Sequence, residues 1–192
     1  KKGKGTFIAR PKIGESLFQE LTGFYQDMES KGERPVSRVL QQQVIPANTK
    51  VAEALELAVD TPVVIIDRVR SVNSEPIVLV TTYLPYRLCP GILNVNLTHQ
   101  SLYALLERNY SLVIARGKRM IQAIAASEYE AGLLETARGA PLIALESISY
   151  LADGTPVEYY KALHRGDRSM FEVELVRSRE TGPAYVLNSN MK

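Results

Sequence analysis

The fold is decided by residues 61–85, which read TPVVIIDRVRSVNSEPIVLVTTYLP. Two runs rich in β-branched residues, at residues 63–69 and 77–83, flank a short turn that ends in proline. This pattern predicts two antiparallel strands joined as a hairpin. Arg68 and Arg70 lie near the end of the first strand. Because residues two apart in a strand point to the same face, roughly 7 Å apart, both guanidinium groups are predicted to extend from one side of the sheet.

The arginine pair suggests an anion-binding site. Val64 and Ile66 share the predicted face of the two arginines and indicate that this face is buried. Two like charges at such a place repel each other unless an anion joins them. The forked guanidinium group suits phosphate and carboxylate because it donates two parallel hydrogen bonds. The alternative is a pair of structural salt bridges to Asp or Glu on a neighbouring strand.

Composition sets modest bounds on the class of protein. The 192 residues are 45% hydrophobic and 23% charged, which suits one globular domain with appendages. A net charge of +2 does not indicate a strongly basic nucleic-acid-binding face across the whole chain. The single cysteine, Cys89, excludes an intrachain disulfide and suits a reducing compartment. We find no membrane-spanning run of about 20 apolar residues and no secretory signal, so a cytoplasmic protein is expected.

Hydrophobic periodicity and capping residues predict the elements outside the hairpin. These elements are a helix at residues 14–32, a strand at 35–46, a helix at 49–57 capped by Asn48, a helix at 96–108 capped by Thr98, a strand region at 112–124, a helix at 128–138 capped by Ser127, a strand at 156–164 and a closing strand at 170–176.

The sequence contains an internal repeat. The stretch that begins at Ala52 resembles the stretch that begins at Ala131: in both, a predicted helix, a turn and a proline precede a strand, and a second turn and proline precede another strand. The four prolines are Pro62, Pro76, Pro141 and Pro156. Two helix–hairpin units predict one antiparallel sheet with helices packed on it, which is an α+β architecture.

The repeat also bears on the arginine pair. Ser147 and Ser149 stand in the second copy where Arg68 and Arg70 stand in the first. The repeated fold therefore does not require the arginines, and this favours a ligand-binding role for them.

Further polar candidates lie in the predicted last hairpin. Glu158, Tyr160 and His164 alternate with apolar residues along residues 156–164 and share one face. If that face lines a cleft, Glu158 can accept hydrogen bonds from hydroxyl groups, and Tyr160 or His164 can donate them. The alternative is a solvent-facing strand surface, which is common in antiparallel sheets.

Ser101 and Tyr103 are candidates of a different kind, because they lie near the start of a predicted helix. Free backbone N–H groups and the helix dipole favour anions there, although ordinary helix surface is the alternative. His99, His164 and Cys89 show no metal-ligand spacing. No nucleophile elbow, phosphate loop or dinucleotide fingerprint occurs, so neither a cofactor nor a catalytic centre is expected.

Five stretches, taken in order, carry a resemblance to a known family. GKGTFIA, at residues 3–9, resembles the end of the winged-helix domain of GntR-type transcription regulators. LTGFYQDMESKGERPVSRVL, DTPVVIIDRVRSVNSEPIVLVTTYLP, SLYALLE and DGTPVEYYKALHRGDRSMFEVEL resemble successive motifs of the effector-binding (UTRA) domain of the HutC subfamily. Single motifs are moderately specific, and their common order is highly specific.

The resemblance implies a chorismate-lyase-like α+β fold and a bacterial transcription regulator, in most cases a repressor. It implies a homodimer that binds operator DNA through a winged-helix domain and a small effector through the UTRA domain. The implied boundaries are a remnant of the wing and a linker at residues 1–12, the UTRA domain at 13–178 and a C-terminal tail at 179–192.

The resemblance also implies roles for individual residues. In sugar-phosphate-responsive members, the residues matching Arg68 and Arg70 hold the phosphate. Those matching Phe24, Tyr25, Ser101 and Tyr103 complete the phosphate subsite, and those matching Glu158 and His164 hold sugar hydroxyls.

This sequence departs from the family pattern at two positions. Val80 stands where members that bind amino-sugar phosphates carry Glu, and His164 stands where many carry Tyr. The expected effector is therefore an anionic metabolite, whether a sugar phosphate, a phosphonate or a carboxylate. Two alternatives are an enzyme of chorismate-lyase-like fold that acts on a small carboxylate, and a ligand-free dimerisation module whose arginines face Asp or Glu partners.

Overall fold

The computed structural model describes residues 13–15, 28–29 and 31–171. The predicted site residues Phe24 and Tyr25, the wing remnant at residues 1–12 and the tail at residues 179–192 lie outside the described residues, so their predictions stand as they were made.

From residue 35 onwards, the elements follow the predicted order of strands and helices. In chain order they are β1 (Ile13–Glu15), β2 (Pro35–Pro46), α1 (Thr49–Leu55), β3 (Pro62–Val72), β4 (Glu75–Pro85), α2 (Leu102–Tyr110), β5 (Arg116–Ala125), α3 (Glu128–Leu134), β6 (Pro141–Tyr150), β7 (Pro156–Arg165) and β8 (Ser169–Phe171). Six strands form one antiparallel sheet in the order β2-β3-β4-β7-β6-β5, and β1 pairs in parallel with β8. The predicted α+β class is confirmed.

The two halves of the sheet are built from the same unit. α1, β3 and β4 correspond to α3, β6 and β7, and the inner strands β4 and β7 pair with each other. Asn48 caps α1 and Ser127 caps α3, as predicted, because each side chain accepts a hydrogen bond from a backbone N–H of the first turn. The residues that directly follow these helices, Glu56 and Glu135, have left-handed φ angles of 53° and 51°. The predicted repeat is therefore confirmed in backbone detail.

The central strands β3, β4 and β7 are buried on both faces of the sheet, whereas the outer strand β5 is largely exposed. We name the two faces by the residues that register aligns across the strands. The front face carries Arg68, Val80, Ala162 and Leu145, which are neighbours across β3, β4, β7 and β6. The back face carries the residues that alternate with them along the same strands.

Each face is covered by helices of complementary hydrophobic pattern. Val51, Ala52 and Leu55 of α1 pack on the back face with Val63 and Tyr159. The buried residues of α3 pack on the same face with Val69, Leu79 and Leu142. Leu102, Leu105 and Leu106 of α2 instead pack on the front face with Val64, Ile66 and Leu84. The helix that bears the predicted site residues thus lies on the arginine side of the sheet.

Several predicted boundaries were wrong. The start of the helix predicted at residues 14–32 is instead the strand β1, whose backbone pairs with β8. The strand predicted at residues 112–124 begins only at Arg116, and the helix predicted at 49–57 ends at Leu55.

The helix predicted at residues 96–108 with a Thr98 cap begins only at Leu102, and Ser101 is its cap. The Thr98 carbonyl accepts a hydrogen bond from the Ser37 backbone N–H, which holds this segment against β2. The helix predicted at residues 128–138 ends at Leu134, because Glu135 already turns out of the helix with left-handed φ.

Candidate functional site

β3 delivers both arginines to the front face. Its β-branched residues form a strand that is buried on both sides, and alternation places Arg68 opposite Val80 and Arg70 opposite Val78 of β4. Arg68 is 1% exposed and Arg70 is 8% exposed. The predicted burial of this pair is therefore observed, and two positive charges lie together in the interior.

The guanidinium group of Arg68 is buried without a bonded counter-charge. Its three nitrogens have no hydrogen-bond partner in the part of the chain that the structure describes. Burial lowers the pKa of Arg68 well below its ordinary value, Arg70 lowers it further, and Glu158 and Tyr103 oppose the shift. Because arginine stays protonated in proteins, this direction means that the buried charge is unfavourable unless an anion meets it.

Glu158 of β7 is a carboxylate close enough to act on the charge of Arg68, but its hydrogen bonds go to other groups. Its Oε2 accepts hydrogen bonds from the Tyr103 hydroxyl at 2.6 Å and from the Ser149 hydroxyl at 2.9 Å. Burial raises the pKa of Glu158, and these hydrogen bonds together with the charges of Arg68 and Arg70 offset only part of the increase. Arg68 therefore forms no structural salt bridge with the described residues, which argues against that alternative.

The start of α2 brings Tyr103 to the same site, and Ser101 caps the helix two residues before it. The Ser101 side chain is 7% exposed and accepts a hydrogen bond from the Ala104 backbone N–H at 3.3 Å, so it caps the helix. Two residues further on, the Tyr103 hydroxyl reaches Glu158 across the sheet surface. Burial raises the pKa of Tyr103, and the negative charge of Glu158 raises it further, so this hydroxyl stays a donor.

Tyr160 and His164 occupy the front face of β7. They are 9% and 1% exposed, and register places them opposite Thr82 and Val78 of β4. The possibility of a solvent-facing strand is therefore wrong, since β7 is buried on both faces. All the predicted site residues that the structure describes lie on the front face or on the helix that covers it.

The prediction missed one residue that the geometry adds. Ser149 of β6 is fully buried and donates a hydrogen bond to Glu158, so it fixes the orientation of that carboxylate. The repeat could have revealed it, because Ser149 is the counterpart of Arg70. The equivalent helices α1 and α3 pack on the same face of the sheet, so the repeat places equivalent residues on one face. Ser149 therefore lies on the face of Arg70.

The described residues form neither a metal site nor a membrane-spanning helix. No group of three or more His, Cys, Asp or Glu side chains is arranged to hold a metal ion in the described ranges. Within the same ranges, no helix combines the length and the apolar character needed to cross a membrane.

Comparison with known proteins defines the class. The family profile of the UTRA domain matches residues 30–169. The chain is 36% identical over 170 residues to the HTH-type transcriptional repressor NagR of Bacillus subtilis strain 168, a match that covers 88% of this chain and 69% of NagR. The protein therefore belongs to the UTRA-domain regulators of the GntR family, HutC type, as the sequence motifs predicted.

Solved structures agree with this assignment. The crystal structure of PhnF from Mycobacterium smegmatis is similar with a TM-score of 0.82 at 26% identity, over 93% of this chain and 78% of that chain. The separate effector domain of the same protein matches with a TM-score of 0.80 at 25% identity, over 86% of this chain and the whole of that one. The relatives are transcription regulators, so they do not favour the enzyme alternative.

Proposed function

We propose that this protein is the sensing part of a transcriptional repressor, in which Arg68 and Arg70 bind the anionic group of a small metabolite. The observation that carries the proposal is the buried guanidinium group of Arg68, which has no bonded partner among the described residues. A buried charge of this kind is costly, and a bound phosphate, phosphonate or carboxylate would offset the cost with charge-assisted hydrogen bonds.

The rest of the front face supports a polar metabolite rather than a bare ion. Glu158 can accept a hydrogen bond from a ligand hydroxyl through the oxygen that Tyr103 and Ser149 leave unused. Val80, opposite Arg68, supplies an apolar wall where amino-sugar-phosphate-binding members carry a carboxylate. A sugar phosphate without an amino group, a phosphonate or a carboxylate therefore fits better than an amino sugar.

Ligand binding can change the affinity for operator DNA because the ligand would connect separate elements of the domain. An anion at Arg68 would connect β3 to the start of α2, whose residue Tyr103 already contacts Glu158 of β7. Binding can alter operator affinity only if the ligand has different affinities for two conformations of a homodimer. A coupling free energy of about 1–3 kcal/mol would change operator affinity by about 5- to 150-fold.

The test removes the buried charge and keeps an unbranched apolar side chain that reaches as far as the position of the arginine Nε. We expect Arg68→Met to raise the thermal unfolding temperature of the ligand-free protein, because it removes a desolvated charge worth more than about 1 kcal/mol. We also expect 50 mM inorganic phosphate, methylphosphonate or acetate, compared with chloride at equal ionic strength, to stabilise the wild type and not the variant. A ligand at 100 times its dissociation constant stabilises a protein by about 2.7 kcal/mol.

The matched control is Arg138→Met, which removes an exposed arginine from the turn before β6. It should change neither the stability of the free protein by more than about 0.5 kcal/mol nor the response to anions. The proposal would be overturned if Arg68→Met were less stable than the wild type and all three anions stabilised both proteins equally.

A further inference from the structure

Two more buried polar atoms on the front face have no hydrogen-bond partner in the part of the chain that the structure describes. The hydroxyl oxygen of Ser147, a residue that is 1% exposed, and the Nε of Arg119 have no hydrogen-bond partner within the described residues. Buried donors are almost always paired in native proteins, so each such atom calls for a specific explanation. These two atoms lie outside the set of residues predicted from the sequence.

Register places the two residues side by side. Ser147 of β6 pairs directly with Arg119 of β5 on one side and with Tyr160 of β7 on the other. All three belong to the front face, because Ser147 is two residues from Leu145, which lies in the same row as Arg68. Neighbouring side chains in such rows are about 5 Å apart at their Cβ atoms.

An anion held by the arginine pair would leave these atoms unpaired. β3 and β6 are separated by β4 and β7, so Ser147 lies about 14 Å from the strand of Arg68 measured across the sheet. Across the strands, Ser147 lines up with Ile66 of β3 and not with Arg68. Ser147 is therefore also displaced along the strand direction, on the side of Arg68 that faces away from Arg70. The front face thus presents donors at two separate places.

We propose that Ser147 and Arg119 form a second subsite, which binds an oxygen acceptor at the end of the effector remote from the Arg68–Arg70 anion. This inference rests on the proposed function, because it extends the same ligand site. Arg119 can only donate, and Ser147 can donate to any acceptor, so the complementary group is a carboxylate or a carbonyl. A carboxylate is favoured because its hydrogen bonds to a guanidinium group are charge-assisted.

The effector class that follows is a small molecule with two polar ends. One end is an anionic group at Arg68 and Arg70, and the middle carries hydroxyl groups near Glu158. The other end is a carboxylate at Arg119, on the outer strand of the sheet, where the side chain is only partly buried.

The test uses two probes that differ at that end alone. 6-Phospho-D-gluconate carries a carboxylate at C1, and D-glucitol 6-phosphate carries a CH2OH group there. We expect calorimetric titration of the wild-type protein to give about tenfold or more tighter binding of 6-phospho-D-gluconate, as one charge-assisted interaction would supply. Arg119→Gln and Ser147→Ala should each remove most of this preference and leave the affinity for D-glucitol 6-phosphate within about threefold.

The matched control is Lys118→Gln, which removes an adjacent cation of β5 that points to the opposite face. It should keep the preference. Equal affinity of the wild type for both probes, or a preference that survives in Arg119→Gln and Ser147→Ala, would overturn the second subsite and leave the proposed function intact. If neither probe bound at millimolar concentration, the second subsite would be contradicted, and the anion response of Arg68→Met would decide the proposed function separately.

Stability separates a ligand-binding serine from a structural one. Ser147→Ala removes a hydroxyl that has no partner among the described residues, so the ligand-free variant should unfold at the same temperature as the wild type or a higher one. Ser149→Ala is the matched comparison on the same strand and face, because its hydroxyl binds Glu158, and it should lower the unfolding temperature. A destabilised Ser147→Ala would show a structural role and contradict the proposal.

Discussion

At the scale of single residues, the site holds opposite charges that do not bind each other. Arg68 is buried without a hydrogen bond to the described residues, and Glu158 is buried with neutral donors at its Oε2. Burial disfavours the charged form of both residues, and their mutual attraction offsets only part of this cost. The folded protein is therefore less stable than the same fold would be with apolar side chains at these positions. A bound ligand that pairs with the buried charges can restore this stability.

The pKa of Glu158 leads to a prediction about pH. A carboxyl group whose folded-state pKa is raised stabilises the fold below its ordinary value of 4.5, and this contribution is lost as the pH rises through the folded-state pKa. Glu158→Gln resembles the protonated form and keeps an acceptor for Tyr103 and Ser149. We expect the variant to be more stable than the wild type at pH 7 and the difference to shrink towards pH 4.

Denaturant unfolding of both proteins between pH 4 and pH 8 measures this difference. If Glu158 formed an ion pair with Arg68 instead, its removal would destabilise the protein at pH 7. That result would contradict the assignment of Tyr103 and Ser149 as the partners of Glu158.

At the scale of elements, local sequence explains most of the regular structure. The side chain of Ser127 and that of Glu130 each accept a hydrogen bond from the other's backbone N–H at the start of α3. Asp60 and Gly139, which are equivalent in the repeat, both adopt positive φ, at 66° and 80°, just before β3 and β6. The shared backbone conformation shows that the turn geometry belongs to the unit and not to either copy.

Replacement by alanine is predicted to have opposite effects on stability at two glycines of the second unit. A Cβ at Gly139 or at Gly132 would meet no atom within 4 Å, so only the backbone decides the outcome. Gly139→Ala should cost about 1 kcal/mol, because its φ of 80° disfavours a side chain. Gly132→Ala, in α3, should stabilise by up to about 1 kcal/mol through helix propensity.

Chemical denaturation of the two variants measures both free energies of unfolding. Equal effects of the two substitutions would contradict the left-handed turn at Gly139, and with it the equivalence of the two repeat units.

At the scale of the whole molecule, the halves are joined by side chains as well as by β4 and β7. Tyr159 of β7 donates a hydrogen bond to Glu146 of β6 at 2.5 Å, and Lys50 of α1 forms an ion pair with the same carboxylate at 2.9 Å. Burial would raise the pKa of Glu146, but the hydrogen bonds of Tyr159 and Lys50 lower it below its ordinary value. The helix of the first unit is thereby fixed to the hairpin of the second.

Removal of the Tyr159 hydroxyl tests this connection. We expect Tyr159→Phe to lower the free energy of unfolding by about 1 kcal/mol at pH 7. A carboxyl group with a lowered pKa stabilises the fold above its ordinary value of 4.5, and this stability is lost as the pH falls through the folded-state pKa. The deficit of the variant should therefore shrink below about pH 4.5.

Tyr83→Phe is the matched control, because its ring stacks on Tyr159 with 5.8 Å between centroids and no hydrogen bond of its hydroxyl is part of this connection. It should change stability by less than about 0.5 kcal/mol at any pH. A Tyr159→Phe deficit that did not vary with pH would show that the hydroxyl acts through packing and not through Glu146.

The sequence by itself determined the strands of the six-stranded sheet, the repeat, the α+β class and the family. The strands rest on short-range pattern, and the repeat and the family rest on the order of such patterns along the chain. β-branched runs, prolines and the caps Asn48 and Ser127 act within a few residues of their own position. The helix start was misplaced at Thr98 because a tertiary hydrogen bond from Ser37 competes with the local capping preference.

Only the tertiary structure decided which polar side chains are partnered. The sequence placed Arg68 and Glu158 in one candidate site, but it could not show that Glu158 is bound by Tyr103 and Ser149, from α2 and β6. Nor could it show that Ser147 and Arg119 are side by side on the same face. The physical reason is that hydrogen-bond partners are set by strand order and register across distant segments, and these are fixed when the two repeat units pair, not by local sequence.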